Sequence, residues 1–265
     1  MTVASDHGFG SGPALALFAT SAVLAMAFVG IEGRAAVPLL PLRMFRIRTF
    51  AVGNAITTIV ASIAFSEFFL LTLYMQDVLH YSAVETGLAF AAVAVTIAVV
   101  SNAAQALVTR FGARRVLTAG LVLLTVSLAL IARLPVPARY DADLLGPFVL
   151  NGIGLSLCFI PMTIAGLQGV MPADAGVASG LLNTSRQVGG AVGLAVVNAI
   201  AAGFVVNGVS GTATETSLAH GYRIALLVLA MLALAGAVLS STLLNPPRPA
   251  EVAEEPFDEA MREAA

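Results

Sequence analysis

Lysine is absent from this 265-residue chain, and its thirteen basic side chains are all arginine. Without lysine no Schiff base can form, which excludes a retinal-bound protein even where the helix count suits one. Charge of either sign is scarce, since Asp, Glu, Lys and Arg make up only 11% of residues. The net charge of −2 offers no basic surface for a nucleic-acid partner. A single cysteine, Cys158, lies in an apolar run, so it forms no internal disulfide and reads as a packing residue. The three histidines, His7, His80 and His220, fall outside the apolar runs. No His-Glu-x-x-His motif and no paired acids accompany them, so no metal site, no cofactor and no enzymatic chemistry are expected. The opening residues "MTVASDHGFGSG" carry no positive charge, which argues against a secretion signal.

What the chain has in quantity is apolar length. Hydrophobic residues are 58% of the total and the mean hydropathy is +0.94. Runs of about 20 apolar residues, enough to cross a hydrocarbon core roughly 30 Å thick, recur throughout. Seven are predicted: Pro13 to Ile31, Phe50 to Met75, Thr86 to Val108, Val116 to Ala132, Leu144 to Leu167, Gly176 to Phe204, and Tyr222 to Leu244. The expected fold class is therefore all-α integral membrane with seven transmembrane helices. No repeat of 20 to 50 residues supports a solenoid.

The arginines are placed by topology. Arg34, Arg43, Arg46 and Arg48 follow the first span, Arg110, Arg114 and Arg115 follow the third, and Arg248 and Arg262 lie beyond the last. By the positive-inside rule this predicts a cell-membrane protein with its amino terminus outside and its carboxyl terminus cytoplasmic. Tyr74, Tyr81, Tyr140 and Tyr222 fall at or near the predicted outer ends, where amphipathic rings suit the interface. The stretch "EGRAAVPLLPLRMFRIRTF" mixes arginines with apolar residues and prolines, as a connector on the membrane surface would. The acidic tail from Asn245 has too little apolar content to build a core and is expected to be disordered. Three regions result: 1–49, a helix with its connector; 50–244, a six-helix bundle; and 245–265, the tail.

The sixth span holds the most polar face. Asn183, Arg186, Gln187 and Gly190 share the i, i+3, i+4, i+7 spacing of one helical face. Gly176 and Gly180, with Gly189, Gly190 and Gly193, supply small residues for close helix packing. Arg186 lies roughly 15 Å from the helix start at 1.5 Å per residue, too deep for easy snorkelling to the surface. A charge at that depth costs about 2.5 to 3.5 kcal/mol on insertion scales, so it faces a protein interior or a wet cavity. Its two readings are a cavity wall and a structural role on neighbouring helix carbonyls.

Glu67 is the only carboxylate well inside a span, roughly 12 Å from the outer end. Intramembrane acids serve as proton relays or bond to adjacent helices, and both roles suit Glu67. Asn151 either lines a cavity or bonds across a helix pair. Pro161, inside the fifth span, removes a backbone hydrogen bond and predicts a bend.

Several of these segments in order, "PLLPLRMFRIRTFAVGNA", "TRFGARRVLTAG", "LLGPFVLNGIGLSLCFIPMT" and "GVASGLLNTSRQVGGAVGLAVV", resemble the fourteen-helix drug/proton antiporter branch of the major facilitator superfamily, the EmrB/QacA type. The resemblance implies the carboxyl-terminal half of such a transporter: one central helix plus a six-helix half bundle. Its amino-terminal half bundle is then an absent partner, and Met1 an internal start or the edge of a fragment. It further implies proton-coupled efflux of small lipophilic or cationic compounds, inactive without the other half, with the lipid bilayer, the small-molecule substrate and protons as partners. Substrate-cavity candidates are Asn183, Arg186, Gln187 and Asn151, and Glu67 is the proton-coupling candidate.

The cytoplasmic loop motif of that family, G-x-x-x-D-R-x-G-x-R, is altered here. Gln105 stands at the glycine and Thr109 at the aspartate, followed by Arg110, Gly112, Arg114 and Arg115. The gating ion pair implied by that aspartate is lost. Asn102, Gln105 and Thr109 share a helical face, so neutral hydrogen bonds are the expected substitute. A non-transporting scaffold or receptor-like seven-helix protein is the alternative.

Overall fold

The computed structural model describes residues 12–34, 42–135, 138–206 and 215–244. The acidic tail 245–265 and residues 35–41 of the connector lie outside the described residues. Seven α-helices and no strand occur among the described residues: α1 Gly12–Glu32, α2 Arg48–Leu73, α3 Ala83–Phe111, α4 Ala113–Ile131, α5 Leu145–Leu167, α6 Ala175–Val206 and α7 Glu215–Leu243. Wider π-turns extend α2 through Tyr74–Val78 and lead into α5 from Tyr140–Leu144. Helix α7 begins several residues before the apolar run at Tyr222, because polar residues can extend a helix past the hydrocarbon.

Among the described residues, five helices are long and apolar enough to cross a membrane: α2 and α5 with their π-turns, α3, α4 and the Ala219–Leu243 part of α7. The described apolar part of α1 is shorter, Ala19–Glu32. Helix α6 has 32 residues, a length of about 48 Å at 1.5 Å per residue. Asn183, Arg186 and Gln187 lie in its first half, and the uncharged, largely apolar stretch from Val188 onward follows them.

Helices α2 to α7 pack as one bundle, in which α4 lies on α5 and α7, α2 on α6, and α3 on α5. The core is aliphatic, built on Ile56, Ile63, Leu117, Leu121, Leu124 and Leu155. Small residues set the helix separations. A Cβ on Gly120 would stand 2.9 Å from the Gly154 carbonyl oxygen, and one on Gly152 would stand 2.8 Å from Thr96 Cβ, so α4 and α3 both approach α5 at glycines. By contrast, α1 leaves Leu17, Leu24, Met26 and Ile31 open and, among the described residues, makes no extended packing with the bundle.

The two ends of the bundle differ. At one end Tyr74 and Tyr222 pack edge to face at 6.4 Å. There Tyr222 donates to Asp77 at 2.8 Å, and Tyr140 donates to the Ala89 carbonyl at 3.0 Å. At the other end Arg43 pairs with Asp174 at 3.2 Å, and Arg114 donates to the Ser241 carbonyl at the end of α7. Part of the connector is folded into this end. Met44 and Phe50 are buried with Ala178 of α6, while Phe45 stays exposed.

The turns follow local chemistry. Ser82 and Glu85 form a reciprocal capping box at the start of α3. Gly112, at φ +83°, joins α3 directly to α4, a conformation that favours glycine.

Candidate functional site

Helix α6 is drawn onto α2 by two of its glycines. A Cβ on Gly189 would strike the Thr58 carbonyl, and one on Gly193 would lie 2.7 Å from Ser62 Cα. Ser62 Oγ donates across the contact to the Gly189 carbonyl at 2.7 Å. Nearer the arginine end, Ser185 donates to Asn54 Oδ1 at 3.0 Å. The Asn54 amide in turn donates to the Phe50 carbonyl at 2.9 Å and the Gly166 carbonyl at 3.4 Å. Backbone contact plus a polar chain therefore fixes the rotation of α6 against α2.

That rotation turns Asn183, Arg186 and Gln187 onto one wall of a concavity of about 550 Å³. Helix α2 supplies Ala61, Ala64, Phe65 and Phe68, and α5 supplies Phe159 and Met162. The Phe65 ring covers Gly190, where a Cβ would meet the ring 2.9 Å away. Aromatic contact continues from Phe68 to Phe90 at 5.1 Å and from Phe90 to Phe148 at 5.8 Å, which holds Phe68 in place. The site thus sets amide groups and one permanent cation against an aromatic floor. Arg186 is half-buried. No hydrogen bond or ion pair engages its guanidinium among the described residues.

Glu67 and Asn151 are apart from that wall. Both are buried between α2 and α5, where the Asn151 amide donates to Glu67 Oε2 at 3.1 Å. Glu67 Oε1 and the neighbouring Ser66 hydroxyl have no partner. Asn151 was expected among the cavity residues; its side chain is instead spent on Glu67, the cross-helix alternative.

Two further expectations need correction. Gly176 and Gly180 meet nothing within 4 Å, so they pack no helix of this chain. They lie on the α6 face shared with Asn183 and Gln187, and all four residues are exposed. Among the described residues Asn102, Gln105 and Thr109 also form no neutral latch with another helix. Thr109 donates to the Gln105 carbonyl of its own helix at 3.1 Å, and Asn102 and Gln105 are exposed. A threonine hydroxyl inside a helix satisfies itself on the carbonyl four residues earlier. Pro161 lies inside a continuous α5. Of the loop arginines, Arg114 holds the end of α7 while Arg110 lies over the Phe111 ring at 5.2 Å. No group of three or more His, Cys, Asp or Glu among the described residues could hold a metal ion.

Phe65, Phe68, Phe159 and Met162 were not foreseen. The i, i+3 pair Phe65 and Phe68 was a usable signal, but it also suits a lipid-facing stripe.

The family model described as Major Facilitator Superfamily matches residues 8–194. The cephamycin export protein of Amycolatopsis lactamdurans is 36% identical over 240 residues, which are 90% of this chain and 48% of that protein. The puromycin resistance protein of Streptomyces alboniger is 30% identical over 249 residues, 91% of this chain and 50% of that protein. The lincomycin resistance protein of Streptomyces lincolnensis is 34% identical over 179 residues, 66% of this chain and 36% of that protein. The chain spans about half the length of the first two relatives. A bundle of apolar helices, a walled concavity and these matches lead to one family: the chain belongs to the major facilitator superfamily of membrane transporters.

Proposed function

We propose that the chain is the carboxyl-terminal half of a fourteen-helix, proton-coupled efflux transporter for small lipophilic or cationic compounds. The carrying observation is the concavity that sets Asn183, Arg186 and Gln187 against Phe65, Phe68, Phe159 and Met162. Apolar walls with a few placed polar groups suit drug-sized ligands. The open side of the concavity is where an amino-terminal half bundle closes the cavity, and export runs by rocking of the two halves. The names of the relatives, which speak of export of or resistance to antibiotics, support efflux. Within this reading Glu67 is the proton site, because it is a buried carboxyl group with one oxygen unpartnered. The arginine end, with Arg110, Arg114 and Arg115, is cytoplasmic and the tyrosine end external.

The test is dye efflux from cells making the complete transporter. Arg186→Leu leaves the amount of protein in the membrane unchanged, since it removes a charge from a span, and impairs efflux. Arg186→Lys restores part of it, because an ammonium lacks the planar five-donor fork. Unchanged efflux in Arg186→Leu would remove the arginine from the cavity mechanism. Orientation is read separately, from single cysteines in a Cys158→Ala background. An impermeant thiol reagent labels the loop at 138–139 in intact cells and spares the Gly112 loop.

A further inference from the structure

A second concavity, of about 720 Å³, opens at the arginine end, where α3 turns into α4 beside the end of α7. Phe111, Gly112, Arg114, Arg115, Thr118 and Ser241 form its walls. Arg114 bridges its sides through the Ser241 carbonyl, and Thr118 reaches Ser240 Oγ at 3.1 Å. Arg115 is exposed and makes no hydrogen bond, and Arg110 has only the Phe111 ring. No carboxylate among the described residues pairs with any of the three guanidiniums. Thr109, the residue before Arg110, brings no acid to this end of α3. Gly112 brings no capping side chain to α4, so the first-turn amides add partial positive charge to the same wall.

Below the cations the surface turns apolar at once. Arg115, Ala119, Val122 and Val126 follow one another on a single face of α4, all exposed. A free phosphate would use only the upper part of this arrangement. We propose that the pocket binds the phosphate of an anionic glycerophospholipid, with Arg110, Arg114 and Arg115 around the headgroup and an acyl chain along Ala119, Val122 and Val126. Basic clusters where spanning helices meet the interface select such headgroups by charge. The site is separate from the concavity beside Arg186 and does not rest on the efflux reading.

Native mass spectrometry of the purified chain in dodecylmaltoside, titrated with phosphatidylglycerol or phosphatidylcholine, tests it. Phosphatidylglycerol is retained about tenfold more tightly, at roughly the interaction expected per basic side chain near a lipid surface. The main variant is Arg110→Gln with Arg115→Gln, because neither residue holds the fold by a hydrogen bond; it lowers retention to the phosphatidylcholine level. Arg133→Gln, at the other end, keeps the preference. Equal retention of the two lipids by the unaltered chain, or a preference that survives the double change, overturns the assignment. Displacement by millimolar inorganic phosphate would give the pocket to a free anion instead. Binding that emerges only in a chain ending at Leu244 would give it to the acidic tail, again against the lipid.

Discussion

Helices α2 and α3 are consecutive, similarly long and almost equally apolar, with mean hydropathies of 1.9 and 2.1 over their spans. Their surroundings are opposite. Of the most apolar stretch of each, 61% is buried in α2 and only 17% in α3. Hydropathy measures fitness for lipid, and both helices have it. What separates them is the polar content of α2: Asn54, Thr57, Ser62, Ser66 and Glu67 are all buried, whereas α3 buries only Thr86 among its polar side chains. In a bilayer, apolar area alone gives helices little reason to associate, so close backbone approach and interhelical hydrogen bonds mark the packed face.

The packed face of α2 is most vulnerable where it meets α6. Gly189→Val puts a side chain against the Thr58 carbonyl, which is backbone and cannot swing away. Overpacking of this kind costs about 3 kcal/mol. Unfolding of the purified chain in mixed micelles should show that loss, and a midpoint near that of the unaltered protein would mean the two helices can separate without penalty. Asn151→Leu comes next. It strips the Glu67 carboxyl group of the only donor it has among the described residues, and a buried polar group left unpartnered costs about 2 kcal/mol. If the same unfolding assay finds this variant unchanged, the Glu67 to Asn151 bond does not hold α2 to α5.

How far the chain could be read without coordinates differs between these features. The spans and the face shared by Asn183, Arg186 and Gln187 follow from composition and helical period, which are local. The pairing of Glu67 with Asn151 joins residues 84 apart, so it depends on the rotation of two helices that no local pattern encodes. The glycines of α6 divide for the same reason. Gly189, Gly190 and Gly193 meet α2, while Gly176 and Gly180 meet open space. The aromatic floor of the concavity was hidden because lipid and a cavity both accept phenylalanine. Thr109 beside Arg110 was visible in the sequence, but the contacts of the two residues were not. The hydroxyl turned back on its own helix, and Arg114 took the end of α7 instead.

A smaller effect sharpens the role of α2. Ser62 Oγ shares its single proton between the Thr58 carbonyl of its own helix at 2.8 Å and the Gly189 carbonyl at 2.7 Å. Ser62→Ala removes the crossing bond, and interhelical bonds in membranes average about 0.6 kcal/mol. The variant should unfold slightly earlier than the unaltered chain. A loss as large as that of Gly189→Val would shift the holding force from backbone approach to the hydroxyl.

The smallest effect belongs to α3. Val99 is 70% exposed, so its methyl groups touch detergent or lipid in the folded chain much as they would in an unpacked helix. Val99→Ala therefore removes no packing inside this bundle, and the expected change in stability is below about 0.5 kcal/mol, the range of substitutions away from packed features. Mixed-micelle unfolding should place it within error of the unaltered protein. A clear loss for the isolated chain would mean that α3 is covered, by α1 or by a second copy, and the contrast with α2 would then be one of partners rather than of burial. If the loss is seen only when an amino-terminal half is supplied, Val99 lies on the surface where the two halves meet.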